Sequence, residues 1–199
     1  MGFYRGPRIV RDGLILALDA GSERSYPGTG TTWYDLSGNS FHHTLINSPT
    51  YTSDKEFLLT ETQGFTYSSS ITSSTLCTVI IFYKTTNVQE LWLSTSNNDH
   101  YLSASNNNTY YHSNCGTPIN YVDLKVASNP YAEGYKDGKY HMWEAKNVDL
   151  SSMTWFNWFL YGAAWNLIGT VSKILIYNRS LSSEESSQNF NAHRSRFGL

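Results

Sequence analysis

The chain has 199 residues, a net charge of −2, 15% charged residues and 15% aromatic residues. The aromatic content argues against a disordered chain, and scattered Lys and Arg without a basic stripe argue against nucleic acid as a partner. The longest apolar runs, residues 14–18 and 79–83, are too short to cross a bilayer, and residues 1–8 lack the apolar segment of a secretory signal.

Short segments rich in β-branched and aromatic residues recur along the chain with turn residues between them, which is typical of a sandwich or barrel. Residues 22–40 are rich in turn-forming residues. The predicted strands, in chain order, are residues 13–19, 44–46, 57–60, 64–67, 76–84, 90–94, 101–104, 109–112, 121–126, 140–146, 154–161 and 171–177. The first and last are apolar runs bounded by turn residues, so both are predicted to be largely buried.

One helix is predicted, at the C-terminal end of the sequence. Ser182 and Glu185 have the spacing of a capping box, and residues 183–193 lack Gly and Pro. The apolar face of this helix is thin, with Phe190, Ala192 and Phe197, so we expect it to be short and mostly solvated.

Three segments together resemble a known family. They are residues 13–20 (GLILALDA) with 25–28 (SYPG), residues 32–39 (TWYDLSGN), and residues 171–182 (VSKILIYNRSLS) continued by Glu184, Glu185, 188–190 and 196–198. This framework is similar to the laminin-G-like, concanavalin A-like lectin (jelly-roll) domains of bacteriophage virion structural proteins. The resemblance implies an all-β fold, a two-sheet antiparallel jelly-roll sandwich with a short C-terminal helix.

The resemblance also implies a domain organisation and a role. Residues 1–12 would form an extended N-terminal arm and residues 13–199 a single domain. We expect a non-enzymatic structural or accessory protein on the virion surface, either a capsid decoration or a neck or tail component, with other virion proteins as partners. The alternative is a carbohydrate-binding adhesin module that contacts host surface glycans. No cofactor is expected. Whether the protein forms a homo-oligomer stays open.

Two departures from the family pattern stand out. Phe41-His42-His43 fill a turn that is usually Gly-rich, and Ser186 occupies a position where an apolar residue usually anchors the last helix. Residues 85–135 match little of the family.

Oxygen-bearing side chains in the DLSGN segment have two interpretations. Asp35 and Asn39 could ligate Ca²⁺, or they could bond their own backbone in an Asx-type turn, which we favour. Asp19, at a strand end, is expected to accept nearby N–H groups. His42 and His43 are adjacent, so on a strand they point to opposite faces and could not share a metal ion. Cys77 and Cys115 are expected to stay thiols.

Glycosidases that share this sandwich need paired carboxylates, often at i, i+4 on one strand face. No E-x-D-x-x-E pattern occurs, and Glu184 and Glu185 fit the predicted capping box. We therefore predict no catalytic residue.

Two segments are candidates for binding. In the aromatic block, alternation places Trp155, Phe159 and Tyr161 on one face and Phe156, Trp158 and Leu160 on the other. Three interpretations of this block stay open: part of the core, an interface with another protein, or a surface on which a sugar stacks. In the arm, the predicted partner-binding residues are Phe3, Tyr4, Arg5, Arg8, Ile9 and Val10, because aromatic residues and Arg are enriched in interfaces. The alternative is an edge strand on the chain's own sandwich.

Overall fold

The computed structural model describes residues 7–86, 90–94, 101–104, 110–128, 136–159 and 167–199. Two antiparallel sheets and one C-terminal helix form the fold, which confirms the predicted jelly-roll sandwich. The eight-stranded sheet contains β1 (Leu14–Asp19), β4 (Thr50–Tyr51), β5 (Phe57–Leu59), β7 (Cys77–Thr85), β11 (Gly116–Val122), β12 (Lys125–Val126), β13 (Tyr140–Val148) and β15 (Gly169–Tyr177). The seven-stranded sheet contains β2 (Thr32–Trp33), β3 (His43–Ile46), β6 (Gly64–Tyr67), β8 (Glu90–Ser94), β9 (Tyr101–Ala104), β10 (Tyr110–Ser113) and β14 (Phe156–Trp158).

The main core lies between the two sheets and consists of their inward-facing side chains. Strands β1 and β15 pair with each other inside the larger sheet, and their apolar residues are largely buried, as the sequence predicted. Large side chains with no solvent exposure fill the space from both sides: Leu16, Ile81, Ile174, Phe65, Phe156 and Trp158. Their apolar contact supplies the main driving force that holds the sheets together.

A second apolar cluster lies on the outer face of the eight-stranded sheet. Helix α1 (Ser183–Phe197) packs there, with Phe190 and Phe197 against the cluster that contains Phe82, Met142 and Leu175. In the part of the chain that the structure describes, no helix is long and apolar enough to span a membrane.

Helix α1 has the predicted capping box and is mostly solvated, as expected, with three of its 15 residues buried. Ser182 Oγ accepts from the N–H of Glu185, and the Glu185 side chain accepts from the N–H of Ser182. The buried positions of the helix are the polar residues Ser186, Asn189 and His193. A search for apolar periodicity misses such a face because its contacts are hydrogen bonds.

The segment predicted as one strand over residues 121–126 is instead the end of β11, a turn and β12. The turn residues, Asp123 and Leu124, have φ angles of 48° and 70°. Positive φ at both central residues suits a two-residue hairpin, but the usual Asn-Gly or Asp-Gly signal is missing here. Residues 22–40, predicted as turns, also contain the short strand β2.

The aromatic block over residues 154–161 is also shorter as a strand than predicted. Only Phe156–Trp158 forms β14, and Phe159, with φ of 66°, is fully buried while Trp155 is exposed. The prediction that Trp155 and Phe159 share a face is therefore wrong, because the left-handed backbone at Phe159 breaks the alternation. Leu160 and Tyr161 lie outside the described residues.

Candidate functional site

A row of polar side chains crosses the outer face of the seven-stranded sheet. Cross-strand pairing brings five of them side by side, and residues paired in this way project from the same face. The row contains Thr32, Thr44, Thr66, Asn157 and Ser94, of which Ser94 is fully buried. The adjacent row, which includes Leu45, Phe65 and Trp158, is buried in the core. Strand alternation thus separates an apolar inner face from an outer face of hydroxyl and amide groups.

Trp155 lies next to this row and is fixed to it. Its indole Nε1–H donates to Thr66 Oγ1 at 2.8 Å and to Asn157 Oδ1 at 3.0 Å. The hydroxyl of Thr66 also donates to Asn157 Oδ1, at 2.9 Å. Because the indole N–H can only donate, these bonds identify the oxygen of the Asn157 amide. An exposed ring, 36% accessible, is therefore held in one orientation.

We call Trp155, Thr44, Thr66 and Asn157 the Trp155 platform. Within the described residues, neither Thr44 Oγ1 nor Asn157 Nδ2 has a side-chain hydrogen-bond partner. The platform therefore combines a fixed aromatic surface with uncommitted donors and acceptors beside it. This arrangement suits a ligand with one apolar face and hydroxyl groups along its edge.

Asp35 forms the Asx-type turn that we favoured over a calcium site. Its Oδ1 accepts from the N–H groups of Ala17 at 2.9 Å and Ser37 at 2.8 Å. Its Oδ2 accepts from Ser37 Oγ at 2.6 Å and from the N–H of Phe41 at 3.2 Å. Asn39 donates its amide N–H to the carbonyl of Ile15. No group of three or more metal-ligating side chains occurs among the residues that the structure describes.

His42 and His43 have different hydrogen-bond partners. Nδ1 of His42 accepts from the N–H of Asp35 at 3.1 Å. His43 is buried, with Nδ1 2.9 Å from the carbonyl of Phe41 and Nε2 accepting from Trp158. Burial lowers the pKa of His43 to about 4, so the ring is neutral at pH 7.

Asp19 accepts from N–H groups as predicted and also forms two ion pairs. The N–H of Gly21 donates to it at 3.0 Å, Lys173 Nζ is at 2.8 Å and Arg196 Nη1 is at 2.6 Å. Burial opposes ionisation, but the two cations lower the pKa of Asp19 to about 2.

Both cysteines are buried, and no disulfide joins Cys77 to Cys115. Burial raises the pKa of the Cys77 thiol to about 11, which makes it a poor nucleophile at neutral pH.

Residues of the N-terminal arm contact the chain's own fold where the structure describes them. Val10 is buried, its N–H donates to Asn189 Oδ1 at 3.0 Å, and its carbonyl accepts from Tyr177 at 3.0 Å. Ile9 packs against the outer cluster, and the carbonyl of Arg8 accepts from Gln188 at 2.7 Å. This segment is not a strand. Phe3, Tyr4 and Arg5 lie outside the described residues, and partner binding by the arm stays a prediction.

No protein-family model and no curated protein sequence matches the chain. Solved structures do share its fold. Domain 4 of AbnA, a GH43 extracellular arabinanase from Geobacillus stearothermophilus solved with arabinotriose, is 11% identical with a TM-score of 0.55, over 90% of this chain and 98% of that one.

Two further structures cover this chain but are longer than it. Trypanosoma rangeli sialidase in complex with sialic acid is 12% identical with a TM-score of 0.55, and 92% of this chain matches 33% of it. The binding domain of Botulinum Neurotoxin DC in complex with SialylT is 10% identical with a TM-score of 0.53, and 92% of this chain matches 52% of it. The chain thus spans about a third and about half of these proteins. At these identities the likeness shows the fold alone.

Proposed function

We propose that this domain is a non-catalytic carbohydrate-binding module and that the Trp155 platform is its binding surface. The observation that carries the proposal is an exposed indole ring fixed by Thr66 and Asn157 beside a row of hydroxyl and amide groups. Sugar rings have an apolar C–H face and polar edges, so one face packs on the indole while the edges meet hydroxyls and amides. The arabinotriose and SialylT complexes of two proteins with this fold support the same interpretation.

The experiment is glycan binding to the full chain, with arabinotriose and a sialylated trisaccharide among the probes. Trp155→Ala should weaken binding about tenfold or more, the effect of losing about 1.4 kcal/mol of stacking. Trp155→Phe keeps an aromatic ring but loses the indole N–H. Its affinity should therefore fall between those of the wild type and Trp155→Ala. Val126→Ala, an exposed apolar residue of the other sheet, is the control and should bind normally.

No binding across the panel, or undiminished binding by Trp155→Ala, would contradict the proposal. The same glycans, and peptidoglycan, should show no hydrolysis. Turnover that is lost when one carboxylate is mutated would overturn the non-catalytic assignment.

The virion is our proposed location for the domain, as a decoration, neck or tail component. This part of the proposal rests on the sequence resemblance. It is tested by locating the protein in a particle reconstruction, where absence from the particle would refute it. Glycan binding and a place on the virion surface are compatible, because a surface module can contact host glycans.

A further inference from the structure

A polar cleft of about 340 Å³ lies at the edge of the outer face of the eight-stranded sheet, beside the C-terminal end of α1. We call it the rim cleft. Its polar lining residues are Asp54, Glu56, Lys84, Tyr140, Ser172 and Arg196. It belongs to the sheet opposite the Trp155 platform, so the two features are separate sites.

Glu56 is central to the hydrogen bonding of the cleft and is only 6% exposed. One carboxylate oxygen accepts from Lys84 Nζ at 2.8 Å, and the other accepts from the hydroxyl of Tyr140. Lys84 Nζ also lies 5.1 Å from the centre of the Tyr140 ring. The three side chains therefore hold one another in place before any ligand arrives, which lowers the entropic cost of binding.

Arg196 forms the other side of the cleft and is equally fixed. Its Nη1 donates to Asp19 at 2.6 Å and its Nη2 donates to Ser172 Oγ at 2.7 Å. A Cβ at Gly21 would lie 2.2 Å from Nη2, so a larger residue there would require the guanidinium to shift. Phe197, stacked on Phe82, adds an apolar surface to the lining.

The charges of the lining residues indicate the kind of ligand. Lys84 pairs with Glu56, while Arg196 shares the carboxylate of Asp19 with Lys173. With Asp54, the second carboxylate of the lining, the three carboxylates and three cations in and beside the cleft balance. An anionic ligand would therefore meet no net positive charge, and a cationic ligand would compete with Lys84 and Arg196.

The lining residues of the rim cleft can still form further hydrogen bonds, both as donors and as acceptors. An ammonium group has three donors and a carboxylate about four acceptor positions, so Lys84 and Glu56 can each bond further. A ligand that bonds to both Lys84 and Glu56 must accept from one and donate to the other through neighbouring groups. Adjacent hydroxyls of a sugar can do this. The volume suits one or two sugar rings.

From these contacts we infer that the rim cleft binds a neutral sugar unit, independently of the Trp155 platform and in preference to acidic sugars. This extends the proposed carbohydrate binding to a second face of the same domain. The two sites can fail separately, since no residue is shared between them.

The experiment is an NMR titration of the ¹⁵N-labelled full chain with methyl glucoside, methyl galactoside and methyl arabinofuranoside, and with glucuronic acid as the acidic probe. We expect neutral glycosides to shift the amide signals of Glu56, Lys84 and Tyr140. Lys84→Met, which keeps the aliphatic stem, should weaken this binding about tenfold, the effect of losing one charge-assisted hydrogen bond. Lys125→Met, at an exposed lysine on the same sheet, is the matched control.

Trp155→Ala should leave the shifts of the cleft residues unchanged, even if it abolishes binding at the platform. Absence of shifts in the cleft with every neutral glycoside would overturn the inference, as would tighter binding of glucuronic acid than of methyl glucoside. If Lys84→Met fails to fold, Asp54→Asn at the exposed edge of the cleft replaces it and should also weaken binding. Unchanged affinity in the folded variant would count against the site.

Discussion

The indole N–H of Trp158 donates a 2.9 Å hydrogen bond to Nε2 of His43 inside the core of the sandwich. Nδ1 of the same ring lies 2.9 Å from the carbonyl of Phe41, so the proton sits on Nδ1 and Nε2 must stay unprotonated. A buried polar pair thus connects β3 to β14, and its hydrogen bonding requires a neutral histidine.

This pair should make the domain sensitive to acid. The pKa of His43 is about 4 in the fold, against 6.5 for an ordinary histidine, so the unfolded chain takes up a proton first as the pH falls. The stability from His43 is complete above pH 6.5 and is lost towards pH 4, by about 3 kcal/mol at most. His193 is also buried with a pKa of about 4, so its contribution to stability also falls as the pH is lowered. Urea unfolding between pH 7 and pH 4 measures the effect.

His43→Phe should cost about 1–3 kcal/mol at pH 7, because Trp158 Nε1 loses its acceptor. The variant should also lose less stability than the wild type between pH 7 and pH 5. An identical pH dependence in the two proteins would contradict this role of His43.

His141 should have the opposite pH dependence. Its Nδ1 lies 2.7 Å from Asp123 Oδ2 and its Nε2 lies 3.2 Å from Asp137 Oδ1. Burial opposes protonation, but the two carboxylates raise the pKa of His141 above its usual value. Its contribution is therefore complete below pH 6.5 and is lost as the pH rises through the raised pKa. His141→Gln should cost more stability at pH 6 than at pH 9 in urea unfolding, and an equal cost at both would refute the pairing.

The carboxylate of Asp35 should stabilise the fold without calcium. It accepts four hydrogen bonds, from Ala17, Ser37 and Phe41, so Asp35→Asn should lower the free energy of unfolding by about 2–3 kcal/mol. Asp54→Asn, at an exposed carboxylate, serves as the control and should change it little. The melting temperature should be the same in calcium and in EDTA. A calcium-dependent rise would favour the metal interpretation instead.

Ser186 should matter more than its neighbour Ser187. Both hydroxyls donate to a helix carbonyl four residues earlier, but Ser186 Oγ also lies 2.8 Å from Glu144 Oε1, in the buried space beneath α1. Burial raises the pKa of Glu144. Among the described residues its Oε2 has no hydrogen-bond partner, and Lys146 Nζ lies 3.9 Å from it. Ser186→Ala should therefore cost about 1–3 kcal/mol. Ser187→Ala should be near neutral, since alanine favours helix. Equal effects in denaturant unfolding would show that the Glu144 contact contributes nothing.

Two truncations separate the roles of the N-terminal arm. Deleting residues 2–6 keeps Val10, and on virions it should reduce attachment if the arm binds a neighbouring subunit. Deleting residues 2–11 also removes Val10, which is buried and bonded to Asn189 and Tyr177, and should cost about 2–3 kcal/mol. Thermal unfolding measures the loss of stability, and particle occupancy measures attachment to the virion. Full occupancy with either truncation would refute the docking arm.

Local patterns in the sequence were sufficient to predict most of the strands and the helix start. The apolar runs of β1 and β15 lie between turn residues, and the capping box of α1 needs only Ser182 and Glu185, three positions apart. These features depend on neighbours in the chain, because strand alternation, turn chemistry and capping are set within a few residues. The Asx-type turn at Asp35 was predictable for the same reason.

The candidate sites depend on contacts between residues that are far apart in the sequence. Trp155 is 89 positions from Thr66, and Glu56 is 84 positions from Tyr140. The sequence marked the aromatic block but left open whether it was core or surface, since positive φ at Phe159 changes which side chains point inward. The polar face of α1 was equally hidden, because Ser186 is buried only when β13 places Glu144 beneath it. Strand pairing across the whole chain decides such contacts, and local periodicity carries no information about which distant strand will be the neighbour.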